Sequence, residues 1–127
     1  MSFQGAVSIN IYSALNGVIS VPIYSNVPQD TDFPYVAIGQ VNHAEDDTDS
    51  TTARECTYTI HVWSNEHSLA ETELIQGEIF DNLHLLKFAE IGYTFTENYE
   101  LSTEAFTDSD GQTKHGVSTF KLTIQKV

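Results

Sequence analysis

The sequence predicts an α+β domain, a small antiparallel or mixed β-sheet with two helices packed on one face. Three observations predict it. Apolar residues recur at spacings of three and four near the start of the chain and again in its middle. They alternate with polar residues over residues 54–63 and again towards the end. An Asp-Gly pair separates the last two extended runs. The 127 residues match one domain, and folding a chain of this size buries roughly two-thirds of its unfolded-state surface. No internal repeat or linker divides residues 1–127.

Each element follows in order. Over residues 3–16, Phe3, Val7, Ile11, Ala14 and Leu15 share one helical face, and Gly17 suits a left-handed terminus. A short extended run at 21–24 leads to a polar connector, 27–34, where Pro28 and Pro34 exclude a helix. Residues 35–41 are β-branched and aromatic enough for a strand, with Gly39 marking a bulge. Residues 44–53 are small, polar or acidic, which predicts a mobile surface loop. In the strand 54–63, Cys56, Tyr58, Ile60 and Val62 face the core, while Thr57, Thr59, His61 and Trp63 face away. Ser68 and Glu71 have the spacing of a capping box for a helix over 69–86, with Thr72, Ile75, Ile79, Leu83 and Leu86 as its stripe and Phe80 beside it. Strands are predicted at 93–96, 99–107 and 114–125, the last with Phe120, Leu122 and Ile124 inward. Residues 108–112 close the hairpin between the last two, Gly111 supplying the positive φ.

Eighteen acidic residues face five Lys and Arg, a net charge of −13. Such a surface repels phosphate, so specific nucleic-acid binding and adhesion to an anionic membrane are both disfavoured. Basic protein partners and divalent cations stay open. Cys56 is the sole cysteine, which excludes an intramolecular disulfide and a thiolate-cluster zinc site and fits a small buried core residue. No run approaches the roughly 20 apolar residues that span a bilayer, and Met1 to Gly5 lacks a basic leader, so synthesis and folding in the cytoplasm are expected.

No catalytic residue, cofactor or metal ligand is nominated. Cys56 and His61 lie on opposite faces of one strand and about 17 Å apart, too far for a local dyad. His43, His61, His67, His84 and His115 show no HxH or HExxH spacing and read as surface or interface side chains. Asp46, Asp47 and Asp49 offer hard oxygen ligands, but the glycine and terminal glutamate of an EF-hand are missing, which favours a solvated loop. A metal- or ligand-binding module built on that loop, without catalysis, is the alternative reading. Trp63 falls on the polar face of its strand, either tucked under a loop or serving as a contact anchor. The candidate protein-interface residues are therefore Glu45, Asp46, Asp47, Asp49 and Trp63.

Several segments together resemble one family. They are Val27-Pro28, Phe33-Pro34-Tyr35-Val36 with Gly39, Ile60-His61-Val62-Trp63-Ser64 before the second helix, and Asp110-Gly111-Gln112-Thr113-Lys114-His115-Gly116-Val117 entering the last strand. In their order and spacing these are similar to the tail-completion, or tail-terminator, proteins of long-tailed bacteriophages and prophages. The resemblance implies a non-enzymatic virion protein of the tail or neck. It implies self-assembly into a hexameric ring that caps the tail tube and joins tail to head. It also implies the major tail tube protein and a head-completion or connector protein as partners, with DNA passing through the ring.

Overall fold

The computed structural model describes residues 1–127 as two helices and a curled, six-stranded mixed sheet. Helix α1 spans Phe3–Leu15. The Ser2 hydroxyl caps it by accepting the Gly5 N–H at 2.9 Å, and Gly17 just past its end adopts φ +75°. Its buried face is Ala6, Val7, Ile11 and Leu15.

Strand β1, Ile23–Tyr24, pairs parallel with Val36 and Ala37 of β2, which spans Tyr35–Glu45. Strand β3, Thr52–Ser64, runs antiparallel to β2, with a register shift between Ile38 and Val41 where Gly39 predicted a bulge. Helix α2 covers Ala70–Leu83. Strands β4, Tyr93–Phe95, and β5, Tyr99–Thr107, both pair antiparallel with β6, Lys114–Lys126, which lies next to β3. The spatial order is β1-β2-β3-β6, with β5 and β4 on successive stretches of the far side of β6.

The alternation read from the sequence sets the core. Cys56, Tyr58, Ile60 and Val62 of β3 meet Phe120, Leu122 and Ile124 of β6 in one buried cluster with Val7, Ile11 and Leu15 of α1 and Ile75, Ile79 and Leu83 of α2. Both helices thus cover the same face. Each large apolar side chain so buried contributes about 1.5–3 kcal/mol, and the Tyr58 and Phe120 rings stack at 5.5 Å. Gly116 lets α2 approach β6, since a Cβ there would lie 2.6 Å from Gln76 Nε2 and 2.8 Å from Thr72 Cγ2. No helix is long and apolar enough to cross a membrane.

Three boundaries differ from the sequence expectation. The acidic segment 44–53 is partly ladder, because β2 continues through Glu45 and β3 begins at Thr52; opposed backbone groups outweigh the polar composition. The predicted capping box does not form. Leu69 is helical at the boundary, Ser68 Oγ accepts the Ala70 N–H at 3.3 Å, and Glu71 turns away to accept the hydroxyl of fully buried Ser64 at 2.7 Å. That buried hydroxyl needs a partner more than an exposed helix end does. Helix α2 stops at Leu83 and leaves Leu86 outside, because Leu85 takes φ +69° and donates its N–H to the Asn98 carbonyl at 2.7 Å.

Candidate functional site

The helix-free face of the sheet carries a compact aromatic and imidazole cluster. The pairing of β3 with β6 sets Trp63 directly opposite His115, and the two rings stack at 3.7 Å with 13° between their planes. His61, one step diagonal, stacks on His115 at 5.0 Å, and its Nδ1 lies 2.8 Å from His115 Nε2. Phe106 of β5 closes the other side of His115 at 5.1 Å. Gly39 of β2 leaves the room this needs, since a Cβ there would run into Thr59 Oγ1 and lie 2.7 Å from His61 Nε2.

At the short separation of the two imidazoles one nitrogen donates and the other accepts. Burial holds both rings below their ordinary pKa. His115 is lowered further by the facing His61 and opposed by Asp108, 3.9 Å from its Nδ1, and by Glu104. The cluster is therefore neutral, flat and half-buried at neutral pH. Trp63 is held by stacking on His115, and it stays partly accessible.

The acidic candidates sit elsewhere, at the tip of the β2–β3 hairpin. Asp47 Oδ1 accepts from Arg54 Nη1 and from the Ala53 N–H, both at 2.9 Å. The Thr48 N–H donates to the Thr51 carbonyl at 3.0 Å, and Glu45 Oε1 accepts the Asp47 N–H at 3.2 Å. Arg54 also lies 5.0 Å above the Phe3 ring, tying the hairpin base to α1. Glu45, Asp46, Asp47 and Asp49 are all exposed, and no group of three His, Cys, Asp or Glu side chains is arranged to hold a metal ion. The structure does not bring these acids together with Trp63.

Cys56 is fully buried, and burial pushes its thiol up to about 11, which makes it inert. The largest surface depression, 560 Å³, is lined mainly by apolar residues of 87–95, among them Phe88, Ile91 and Phe95. Another, of 440 Å³, is lined by polar residues including Glu66, His67 and Lys114.

The histidine pair escaped the sequence reading because no spacing links residues on separate strands. Strand parity was the available signal: His61 and His115 both occupy positions that alternate with core residues.

Both sides of the sheet end in open backbone. β1 covers β2 only at Val36 and Ala37, and from Ile38 onwards the residues of β2 pair with β3 alone. On the far side, β5 pairs only with β6, with the Glu104 carbonyl taken by Gln76 Nε2 at 2.8 Å.

Most of the chain is similar to known proteins. A chain of the virion of a native gene transfer agent particle superposes with a TM-score of 0.86 at 15% identity, over 98% of this chain and 99% of that one, and so shares the fold. The tail completion protein gp17 of Bacillus phage SPP1 is 30% identical over 96 residues, 76% of this chain and 71% of that protein. The family model described as Tail completion protein gp17 matches residues 11–125, and the chain belongs to that family of phage tail proteins.

Proposed function

We propose that the protein is a structural subunit of a phage tail that joins with copies of itself in a hexameric ring, caps the finished tail tube and connects it to the head. The observation that carries this is the family match, which runs over residues 11–125 and so takes in the end of α1, all of α2 and the sheet up to the next-to-last residue of β6. The physical character of the molecule agrees with it. Its distinctive features are surfaces: two open sheet edges, a half-buried Trp63 cluster on a bare sheet face, and an acidic hairpin.

The partners in this role are further copies of the chain, the major tail tube protein, and a head-completion or connector protein. The hairpin with Glu45, Asp46, Asp47 and Asp49, mobile in the free protein, and Trp63 are the proposed contact points. A net charge of −13 suits a ring through which DNA passes, because few cationic groups are present to exchange for the counterions of the phosphate backbone. Work is done by surface complementarity, with no bond made or broken.

Electron microscopy of particles made with and without the gene tests the proposal. Without it, filled heads and unjoined tails should accumulate, with tails of irregular length. Normal joined particles in its absence would refute the role.

A further inference from the structure

We propose that adjacent copies join edge to edge, the open edge of β2 in one copy pairing antiparallel with the open edge of β5 in the next, so that one sheet runs unbroken round the ring. This deepens the tail-ring proposal and rests on it.

Strand directions require the antiparallel sense. The main body of the sheet is β2-β3-β6-β5, and every neighbouring pair within it is antiparallel. Four strands is an even number. When a rotation about the ring axis carries one copy to the next, β5 therefore arrives beside β2 pointing the opposite way. Alternation then continues without a break, in the pairing whose hydrogen bonds are perpendicular to the strands. An odd count would have forced a parallel joint.

The edges are only partly protected, each by a single bulge. Exposed edges in monomeric proteins are usually blunted by bulges together with Lys, Pro or inward-pointing charge. Residues 38–45 and 101–107 contain no Lys, Arg or Pro, and their charged residues are only Glu45 and Glu104. Each edge has one bulge, between Ile38 and Val41 in β2 and between Glu100 and Ser102 in β5. Beyond the bulges, regular ladder of similar length remains, residues 41–45 and 102–107. A row of backbone donors and acceptors is satisfied best by another strand. The partner that must be present at every joint of a ring is the other edge of the same chain, through a contact between unlike patches that closes by rotation.

Parity narrows the register. Val41 and His43 oppose Tyr58 and Cys56, so they belong to the core side of β2. Thr103 and Ala105 oppose Ser118 and Gly116, and so belong to the core side of β5. A joint that keeps one face continuous must pair odd residues with odd residues. The greatest overlap of the regular stretches sets Val41 opposite Thr107, His43 opposite Ala105 and Glu45 opposite Thr103.

Engineered cysteines test this in tails isolated from cells producing the phage. Within one chain β2 and β5 are separated by β3 and β6, about 14 Å, too far for a disulfide. The native Cys56 is fully buried and does not interfere. After mild oxidation, the double variant His43→Cys with Ala105→Cys should run as a ladder of dimer, trimer and higher bands on a non-reducing gel. His43→Cys with Glu104→Cys, whose second residue points to the other face, should stay a monomer. A ladder from His43→Cys with Thr103→Cys or Thr107→Cys instead would move the register by two and retain the joint. Tails that carry the protein, with normal circular dichroism for each variant, yet yield no ladder from any odd pair would overturn the edge joint and leave the tail role standing. Wild-type protein missing from tails would overturn both.

Discussion

Replacing His61 by Gln should convert a two-step pH response of Trp63 into one step. In the native protein both imidazoles are held below the ordinary value of 6.5, by burial first and, for His115, by the facing His61. Their rings lie 5.0 Å apart, so placing a charge on each costs about 3 kcal/mol at an effective dielectric of about 20. Water at this half-open surface trims that to about 1–2 kcal/mol, or about one pKa unit between the first and second protonations. The sign follows from linkage. The folded chain binds fewer protons than the unfolded one, so the pair's stabilisation is complete above about pH 6.5 and is lost as pH falls through the folded values. The groups facing His115 are His61 from β3, Glu104 from β5 and Asp108 from the β5–β6 turn. Because Trp63 is the only tryptophan and stacks on His115 at 3.7 Å, its fluorescence reports imidazole charge directly, a protonated ring quenching the indole. Wild type should titrate in two steps, both below 6.5. His61→Gln should titrate once, at higher pH than the second wild-type step, because no second imidazolium then faces His115, while burial still holds it below 6.5. A single wild-type step at or above 6.5 would refute the coupling.

Three further outcomes are expected. Tyr58→Phe removes the hydroxyl that donates to the Oδ1 of Asn98, both residues fully buried, and the stranded amide oxygen should cost about 1–2 kcal/mol, read from the urea midpoint. Gly39→Ala forces a methyl against Thr59 and His61 and should cost about 1–3 kcal/mol while weakening the two-step Trp63 titration; an unchanged titration would show that His61 is not braced there. Replacing residues 47–52 by Asn-Gly, between the hydrogen-bonded Asp46 and Ala53, should leave the melting curve nearly intact, since the exposed Asp47–Arg54 pair is worth under about 1 kcal/mol. The same change should reduce head joining, and undiminished infectivity would remove the hairpin from the list of contacts.

Periodicity made most of the fold legible. Helix α1 was readable to within a residue because its apolar stripe and Gly17 act locally, and the β3 faces followed from strict alternation of Cys56, Tyr58, Ile60 and Val62. Boundaries failed where a distant group competed. Ser64 claimed Glu71 from the capping box, Asn98 drew Leu85 out of the helix, and pairing with β3 extended β2 to Glu45 through acidic residues. The site was harder still. Trp63 stands out in the sequence on the polar face of its strand, yet its partner His115 is visible only through the β3–β6 register. Local spacing carries no information about which residues meet across strands, and the histidine pair is a contact of that kind.

The most direct measurement of the central claim is a cryo-electron reconstruction of the head–tail junction in particles produced from the genome that encodes this chain. The expected result is a closed ring of copies at the head-proximal end of the tail, with β2 of each copy beside β5 of its neighbour. Density at that junction fully accounted for by other proteins, with no copy of this fold, would contradict it.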